Sequence, residues 1–230
     1  MVVRRAKTLA RRLWRWLRKF LLVALALAVG LVLVYRWVNP PITLLMFTEW
    51  LRLGHIERDW VPLEDMSDYV PLSAAAAEDA NFCNHWGFDF DGIRAALADE
   101  SRLRGGSTIS QQVAKNVFLW PGRTWTRKGL EAGFTILIET LWPKRRIMEV
   151  YLNVAEFDAG VFGVQAAAQH YWGLDAGELG PLRAGRLMAV LPAPRSRSPV
   201  SGDARINARG KAIERGAATI RADGRAACFS

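Results

Sequence analysis

The sequence predicts a mostly α-helical domain behind a single N-terminal transmembrane helix. Three observations carry this fold class: strand-like alternation is nearly absent, apolar residues recur at helical spacing from about residue 62 onward, and residues 20–35 form an uncharged apolar run. Hydrophobic residues make up 51% of the 230 positions, so the chain can bury a core and an intrinsically disordered protein is excluded.

The net charge of +9 would by itself favour a nucleic-acid partner. Its distribution argues against one, because residues 1–19 carry eight Lys and Arg and no acid. The remaining residues hold 23 bases and 22 acids, which is a nearly neutral balance. We therefore expect no nucleic-acid partner for the body of the protein.

The apolar run and its flanks are typical of a transmembrane anchor over residues 20–38. Trp14 and Trp37 are placed like interfacial aromatic side chains, which lengthens a run that is otherwise slightly short. The positive charge predicts that residues 1–19 form a cytoplasmic tail. A cleaved signal peptide is the alternative, but the small residues 24–26 lie inside the run rather than after it.

Residues 39–61 are interpreted as a membrane-proximal linker or interfacial segment, and residues 62–230 as the main folded domain. Asn39 precedes two prolines, which end the membrane helix. Residues 42–53 are apolar with two charges. They either lie on the membrane surface or pack beneath the domain, and the sequence leaves both open.

Helical spacing and start signals divide the body into a series of helices. Thr108 and Gln111 fit a capping box at the start of one of them. The predicted helices cover residues 71–80, 91–100, 107–119, 126–141, 144–155, 163–171, 181–191 and 204–221.

Two cysteines, Cys83 and Cys228, are too few for a disulfide framework. An exported domain would permit one bridge, but our expectation is two unpaired thiols without a catalytic role. The three histidines lie far apart in the sequence, so no metal-ligand cluster is predicted.

Acidic and basic residues separate along the body of the chain. Residues 36–100 hold 4 bases and 12 acids, whereas residues 101–150 hold 9 bases and 3 acids. Glu78 follows an alanine-rich stretch in the acidic part and is a candidate general base. The alternative for Glu78 and Asp79 is a solvated surface pair.

The basic part contains two predicted helices whose polar and charged residues group on particular faces. Thr108, Gln111, Gln112 and Lys115 fall on one face of the first helix, which suits an anion near its start. An amphipathic surface helix is the alternative for this stretch. In the second helix, Arg127 and Glu131 lie at the edge of the apolar stripe. They form either a structural ion pair or part of a catalytic cleft. Arg123 and Lys128 lie close to them in the sequence.

Five segments in order resemble the signatures of family 51 glycosyltransferases, the peptidoglycan glycosyltransferases. The glutamate-containing first signature is similar to residues 78–89, and the run GGSTISQQ with its following lysine is similar to the second. The third, fourth and fifth are similar to residues 127–131, 144–153 and 186–192. Ser110 stands where threonine is common, and Asp158 where glycine is expected.

The resemblance implies a lysozyme-like α fold that polymerises lipid II. Glu78 would take the proton from the acceptor 4-hydroxyl, whose oxygen displaces undecaprenyl pyrophosphate from the growing lipid-linked glycan with inversion to a β-1,4 link. Glu131, the second catalytic carboxylate, would orient the cations or hold a divalent ion. The resemblance does not establish that a cofactor is required, and Mg²⁺ or Mn²⁺ at the pyrophosphate is the candidate. The residues implied to bind substrate are Ser107, Thr108, Gln111, Gln112, Lys115, Arg123, Arg127 and Lys128.

The same resemblance implies a location and partners. The enzyme would be a single-pass protein of the bacterial inner membrane, with its catalytic domain in the periplasm. Its partners would be lipid II, the growing glycan, membrane lipids and other proteins of cell-wall synthesis and division. The chain ends soon after the fifth signature, so we expect the monofunctional type without a transpeptidase domain.

Two rival functions remain open from the sequence. A glycan-cleaving enzyme of lysozyme-like fold also uses one glutamate, as a general acid, but it has no need of the clustered cations. A catalytically inactive, membrane-tethered partner of the cell-wall machinery would not need Glu78 at all.

Overall fold

The computed structural model describes residues 2–90, 92, 94, 106–122 and 124–230, with side chains from residue 11 onward. It divides into two units, Met1–Asn39 and Pro40–Ser230. The first unit is built on helix α1 (Val2–Tyr35), so the basic residues before the apolar run are helical as well. Among the described residues, the Arg11–Tyr35 part of α1 alone is long and apolar enough to cross a membrane.

The second unit is built mainly from helices, which confirms the mostly α prediction. Three short strands form one small sheet beside them. The helices are α2 (Leu44–Leu53), α3 (Tyr69–Glu78), α4 (Ile109–Phe118), α5 (Trp125–Leu141), α6 (Lys144–Val154), α7 (Val164–Trp172), α8 (Pro181–Val190) and α9 (Ala204–Ala222), and the strands are β1 (Glu57–Arg58), β2 (Glu156–Asp158) and β3 (Val161–Phe162).

Helix boundaries follow the local signals in the sequence. The capping box at the start of α4 is confirmed, because the Thr108 hydroxyl accepts the Gln111 backbone N–H at 3.2 Å and the Gln111 side chain accepts the Thr108 N–H at 3.0 Å. Thr43 and Thr124 cap α2 and α5 through their own hydroxyls. The predicted helix 91–100 lies outside the described residues, apart from positions 92 and 94.

Helix α6 supplies the centre of the core, with Ile147, Met148 and Tyr151 fully buried. It contacts α3 and α4, and α4 also packs on α5. On the other side, α3, α8 and α9 pack together. The end of α3 and the start of α4 are therefore held by different groups of helices, with α6 in contact with both.

The sheet has the order β1-β3-β2, with β1 parallel and β2 antiparallel to β3. The turn between β2 and β3 uses Gly160, whose φ of 78° favours glycine. Asp158, which replaces an expected glycine, lies in β2, and no non-glycine residue in the described chain has a positive φ. The departure at Asp158 therefore introduces no left-handed backbone conformation.

The expectation of two unpaired thiols was wrong, because Cys83 and Cys228 form a disulfide with their Cα atoms 5.6 Å apart. Helix α9 runs along α3 and returns the C-terminus to the chain just after α3. A sequence separation of 145 residues gives no hint of this proximity, which arises only from the packing of the two helices.

Candidate active site

Glu78 is the last residue of α3, and its half-buried carboxylate contacts the second helix of the site. Gln112 on α4 donates its side-chain N–H to Glu78 Oε2 at 3.0 Å. The first and second signatures, 34 residues apart, are thus joined at the candidate base.

Asp79 fixes the junction between these two helices. One of its buried carboxylate oxygens accepts the Ile109 N–H at 3.0 Å, at the start of α4. The other lies 2.9 Å from His85 Nε2. The start of α4 is hydrogen-bonded to the residue that follows Glu78. Gln112, which lies one helical turn beyond that start, is therefore positioned next to Glu78. Asp79 is buried and Glu78 is half-buried, so the two are not the solvated surface pair that the sequence left open.

A cavity of about 890 Å³ opens beside α4 and α5. Its wall combines polar and charged side chains with an apolar rim that contains Leu45, Trp120 and Trp125. The rim was missed by sequence reasoning, although two tryptophans next to cationic residues are a usable signal. The sequence-predicted residues on the wall are Ser107, Gln111, Gln112, Lys115, Arg127, Lys128 and Glu131.

Three predicted site residues are not on that wall as described. Glu78 is connected to it through its hydrogen bond with Gln112, which lines the cavity. Thr108 is buried, and its hydroxyl donates to the Gly87 carbonyl at 2.7 Å in addition to capping α4. Thr108 thus holds the start of α4 in place without facing the cavity. Arg123 lies outside the described residues.

Glu131 is almost fully buried and carries two cations, one on each carboxylate oxygen. Arg127 Nη1 lies 3.2 Å from Oε2, and Lys128 Nζ contacts Oε1. The Arg127 side chain is also buried, whereas that of Lys128 is 44% exposed toward the cavity side. A buried carboxylate with two such partners orients cations well, because its own charge is compensated.

The Lys115 ammonium interacts electrostatically with both Glu78 and Glu131. Burial lowers its pKa, Glu131 and Glu78 act to raise it, and Arg127 and Lys128 act to lower it further. One half-buried ammonium therefore interacts with both the candidate base and the cation cluster. A further anion bound in the cavity would stabilise the charged form of Lys115.

Tyr151 is a further neighbour of the base that sequence reasoning missed. The side chain is fully buried, and its hydroxyl has no hydrogen-bond partner among the described residues. Burial raises its pKa far above the usual value, and the charges of Glu78 and Asp79 act in the same direction. A tyrosine in an apolar helix pattern gives no signal that distinguishes it from an ordinary core residue.

Another buried carboxylate, Glu139, links α5 to the helices next to the site. It accepts from the Ser110 hydroxyl and from Lys144 Nζ, the latter at 2.8 Å. Lys144 also donates to the His85 carbonyl at 2.8 Å. The serine at position 110 therefore uses the hydroxyl that it shares with threonine.

The described residues form no ready-made protein site for a divalent ion. Both oxygens of Glu131 are engaged by cations, and the described part of the chain contains no group of three or more His, Cys, Asp or Glu side chains arranged to hold a metal. The positive charge that faces the cavity comes instead from lysine and arginine side chains.

The chain is similar to known transglycosylases over most of its length. The family model for transglycosylases matches residues 47–218. The chain is 51% identical to a biosynthetic peptidoglycan transglycosylase of Jannaschia sp., over 99% of this chain and 95% of that protein. Proteins of the same name from Rhodospirillum centenum and Pseudomonas aeruginosa are 49% and 51% identical, over 94% and 80% of this chain and 96% and 83% of theirs.

The matched domain has the lysozyme-like glycosyltransferase fold that the five signatures implied. Its match begins within α2 and includes Glu78, Glu131 and the whole cavity wall beyond Leu45. The chain therefore belongs to the peptidoglycan transglycosylase family of glycosyltransferases.

Proposed function

We propose that this transglycosylase polymerises lipid II into linear glycan strands by single-displacement, inverting transfer. One observation carries the proposal: Glu78, held by Gln112, lies within electrostatic reach of Lys115, and both Gln112 and Lys115 line a cavity whose wall carries further cations. A base next to bound positive charge suits attack by a hydroxyl on a sugar that carries a pyrophosphate leaving group.

In the proposed reaction, Glu78 takes the proton from the 4-hydroxyl of the acceptor lipid II. The oxygen attacks the anomeric carbon of the lipid-linked donor glycan, and the bond to undecaprenyl pyrophosphate breaks. Because a single displacement inverts the anomeric centre, the α-linked donor becomes a β-1,4 product. No covalent enzyme intermediate is needed, so one carboxylate suffices as base.

The cations stabilise the leaving group as its negative charge develops. Lys115, Arg127 and Lys128 face the cavity, and Glu131 holds the last two in place. Arg123 remains a proposed member of this cluster. Charged donors aimed at the developing charge contribute most when they are fixed before reaction, which is the role proposed for Glu131.

The proposed topology places the tail in the cytoplasm and the domain outside the inner membrane. The eight basic residues before the apolar run support this orientation. The Cys83–Cys228 disulfide supports it independently, because such bonds persist in oxidising compartments.

Helix α2 is proposed to contact lipid. Its Leu44, Phe47, Trp50 and Leu51 side chains are exposed, while Met46 and Glu49 are buried. Leu45 of the same helix lines the cavity. A helix that borders both lipid and cavity suits a substrate whose polyprenyl tail stays in the bilayer.

The proposal is tested with labelled lipid II and, separately, with finished glycan strands. The wild-type chain should form polymer, release undecaprenyl pyrophosphate and leave finished strands intact. Cleavage of strands without polymerisation would favour the glycan-cleaving enzyme. Failure to act on either substrate would favour the inactive partner protein.

A further inference from the structure

The C-terminal clamp, residues 223–230, contacts the chain directly after the candidate base. It follows α9 and is joined to Cys83 by the disulfide from Cys228. Cys83 is only five residues beyond Glu78. The end of the chain is therefore covalently attached to the segment that leaves the catalytic helix.

Two non-covalent contacts reinforce the attachment. Arg225 Nη1 donates to the Ala80 carbonyl at 3.3 Å, and Asp223 holds Arg225 through its Nε at 2.9 Å. Phe229 is buried, with its ring centroid 6.0 Å from that of Phe82. The clamp thus binds residues 80–83 by a hydrogen bond, an aromatic contact and a covalent bond.

Phe82 connects the clamp to the acidic residue beside Glu78. Its fully buried ring lies 6.4 Å from the ring of His85, and Lys144 Nζ lies 4.4 Å from its centroid. His85 in turn pairs with Asp79 at 2.9 Å. A displacement of Phe82 would therefore disturb Asp79, which anchors the start of α4 and thereby Gln112.

The segment that the clamp holds has little regular structure of its own. Helix α3 ends at Glu78, and the backbone continues through turns closed by the Phe82 N–H to Asp79 carbonyl bond and the Asn84 N–H to Asn81 carbonyl bond. Helix ends fray, so a glutamate at the last helical position needs support from outside the helix.

We propose that the C-terminal clamp is a positioning element for Glu78, with Cys83, Cys228 and Arg225 as positioning residues. The inference rests on the proposed role of Glu78 as the base. The clamp lies outside the described cavity wall, so opening it should change the rate of the bound complex more than substrate binding. A misplacement of about 1 Å at a reacting group lowers a rate on the order of 100-fold, and a partial loosening should lower kcat about fivefold to twentyfold.

The first test compares the full-length chain before and after treatment with dithiothreitol, in detergent with labelled lipid II. The two thiols of dithiothreitol become its cyclic disulfide, and Cys83 and Cys228 each gain a proton and an electron as free thiols. Thiol labelling measures the opened fraction. We expect kcat to fall with KM within about twofold, and reoxidation to restore kcat.

Two variants keep the test independent of the reductant. The double variant Cys83→Ser, Cys228→Ser should match the reduced protein and should not respond to dithiothreitol. Arg225→Ala should lower kcat in the same direction with the disulfide intact. Arg205→Ala is its matched control, because that side chain is 93% exposed on α9 and should have no effect.

Unchanged kcat with both thiols shown to be free would overturn the inference. So would a fall in rate that merely equals the unfolded fraction measured by near-ultraviolet circular dichroism. Absence of polymer from the oxidised wild type would instead overturn the proposed function, and this inference with it.

Discussion

At the scale of single residues, Lys115 connects the two halves of the site. Its ammonium interacts with Glu78 and Glu131, and burial lowers its pKa. The protonated form is the one that can stabilise a pyrophosphate. A lowered pKa means that this form is lost on raising the pH sooner than in an ordinary lysine.

Lys115→Arg should therefore move the alkaline limb of the kcat/KM profile to higher pH, because arginine keeps its charge throughout. The plateau rate will fall modestly, since the longer guanidinium does not reproduce the lysine geometry. Lys211→Arg, an exposed lysine on α9, is the matched control. An alkaline limb that stays in place would show that Lys115 does not set it.

Tyr151→Phe tests a residue that the sequence did not single out. The hydroxyl is buried without a described partner, so its removal should leave stability unchanged or raise it by about 1 kcal/mol. Thermal and urea unfolding measure this directly. A loss of stability would show that the hydroxyl is hydrogen-bonded in solution.

The polar and charged residues on the cavity wall were largely predictable because they share motifs or helix faces, whereas the apolar rim was not predicted. Thr108 could be predicted to cap α4, but its second bond to the Gly87 carbonyl joins segments 21 residues apart. Tyr151 approaches Glu78 only through the packing of α6 against α3. Local sequence spacing predicts neither contact, because both depend on how segments distant in sequence pack together.

At the scale of elements, α2 is tied to the body by one arginine. Arg195 Nη2 lies 2.8 Å from Glu49 Oε1 on α2 and 3.0 Å from Glu156 Oε2 on β2. Both carboxylates are mostly buried, and burial raises the pKa of Glu156 although Arg195 opposes the shift. This network links α2 to β2. The apolar pattern of residues 42–53 gave no sign of this link.

Arg195→Ala should lower the free energy of unfolding by about 2 kcal/mol at neutral pH, because two buried carboxylates lose a shared partner. Removing Arg195 removes the interaction that opposes the raised pKa of Glu156, so as the pH falls the folded variant takes up a proton at this carboxylate earlier than the folded wild type does. The deficit should therefore shrink between neutral and mildly acidic pH. Urea unfolding of this variant and of Arg205→Ala at several pH values measures both effects, and a deficit independent of pH would contradict the account.

At the scale of the whole molecule, the sequence predicted helices and their order well. It could not predict the disulfide, since Cys83 and Cys228 are brought together by α9 returning along α3. The net charge of +9 likewise reflects two separate features. Eight bases precede the apolar run of α1, and a smaller group of cations lies with Glu131 in the cavity.

A chain reduced to residues 40–230 should still polymerise lipid II in detergent. In lipid vesicles its rate should fall about tenfold or more, because the anchor no longer concentrates the enzyme at its substrate. Adding Phe47→Ser and Trp50→Ser to that chain should weaken the remaining vesicle binding, as measured by flotation. Binding that is unaffected by these two substitutions would contradict lipid contact by α2.

The central claim, that Glu78 is the base, is tested most directly by the rate of lipid II polymerisation at saturating substrate. Glu78→Gln keeps the size of the side chain and removes the base, so we expect a fall on the order of 100-fold to 10,000-fold. Glu64→Gln, at an exposed carboxylate, should keep the wild-type rate. A Glu78→Gln enzyme that polymerises lipid II at the wild-type rate would contradict the account.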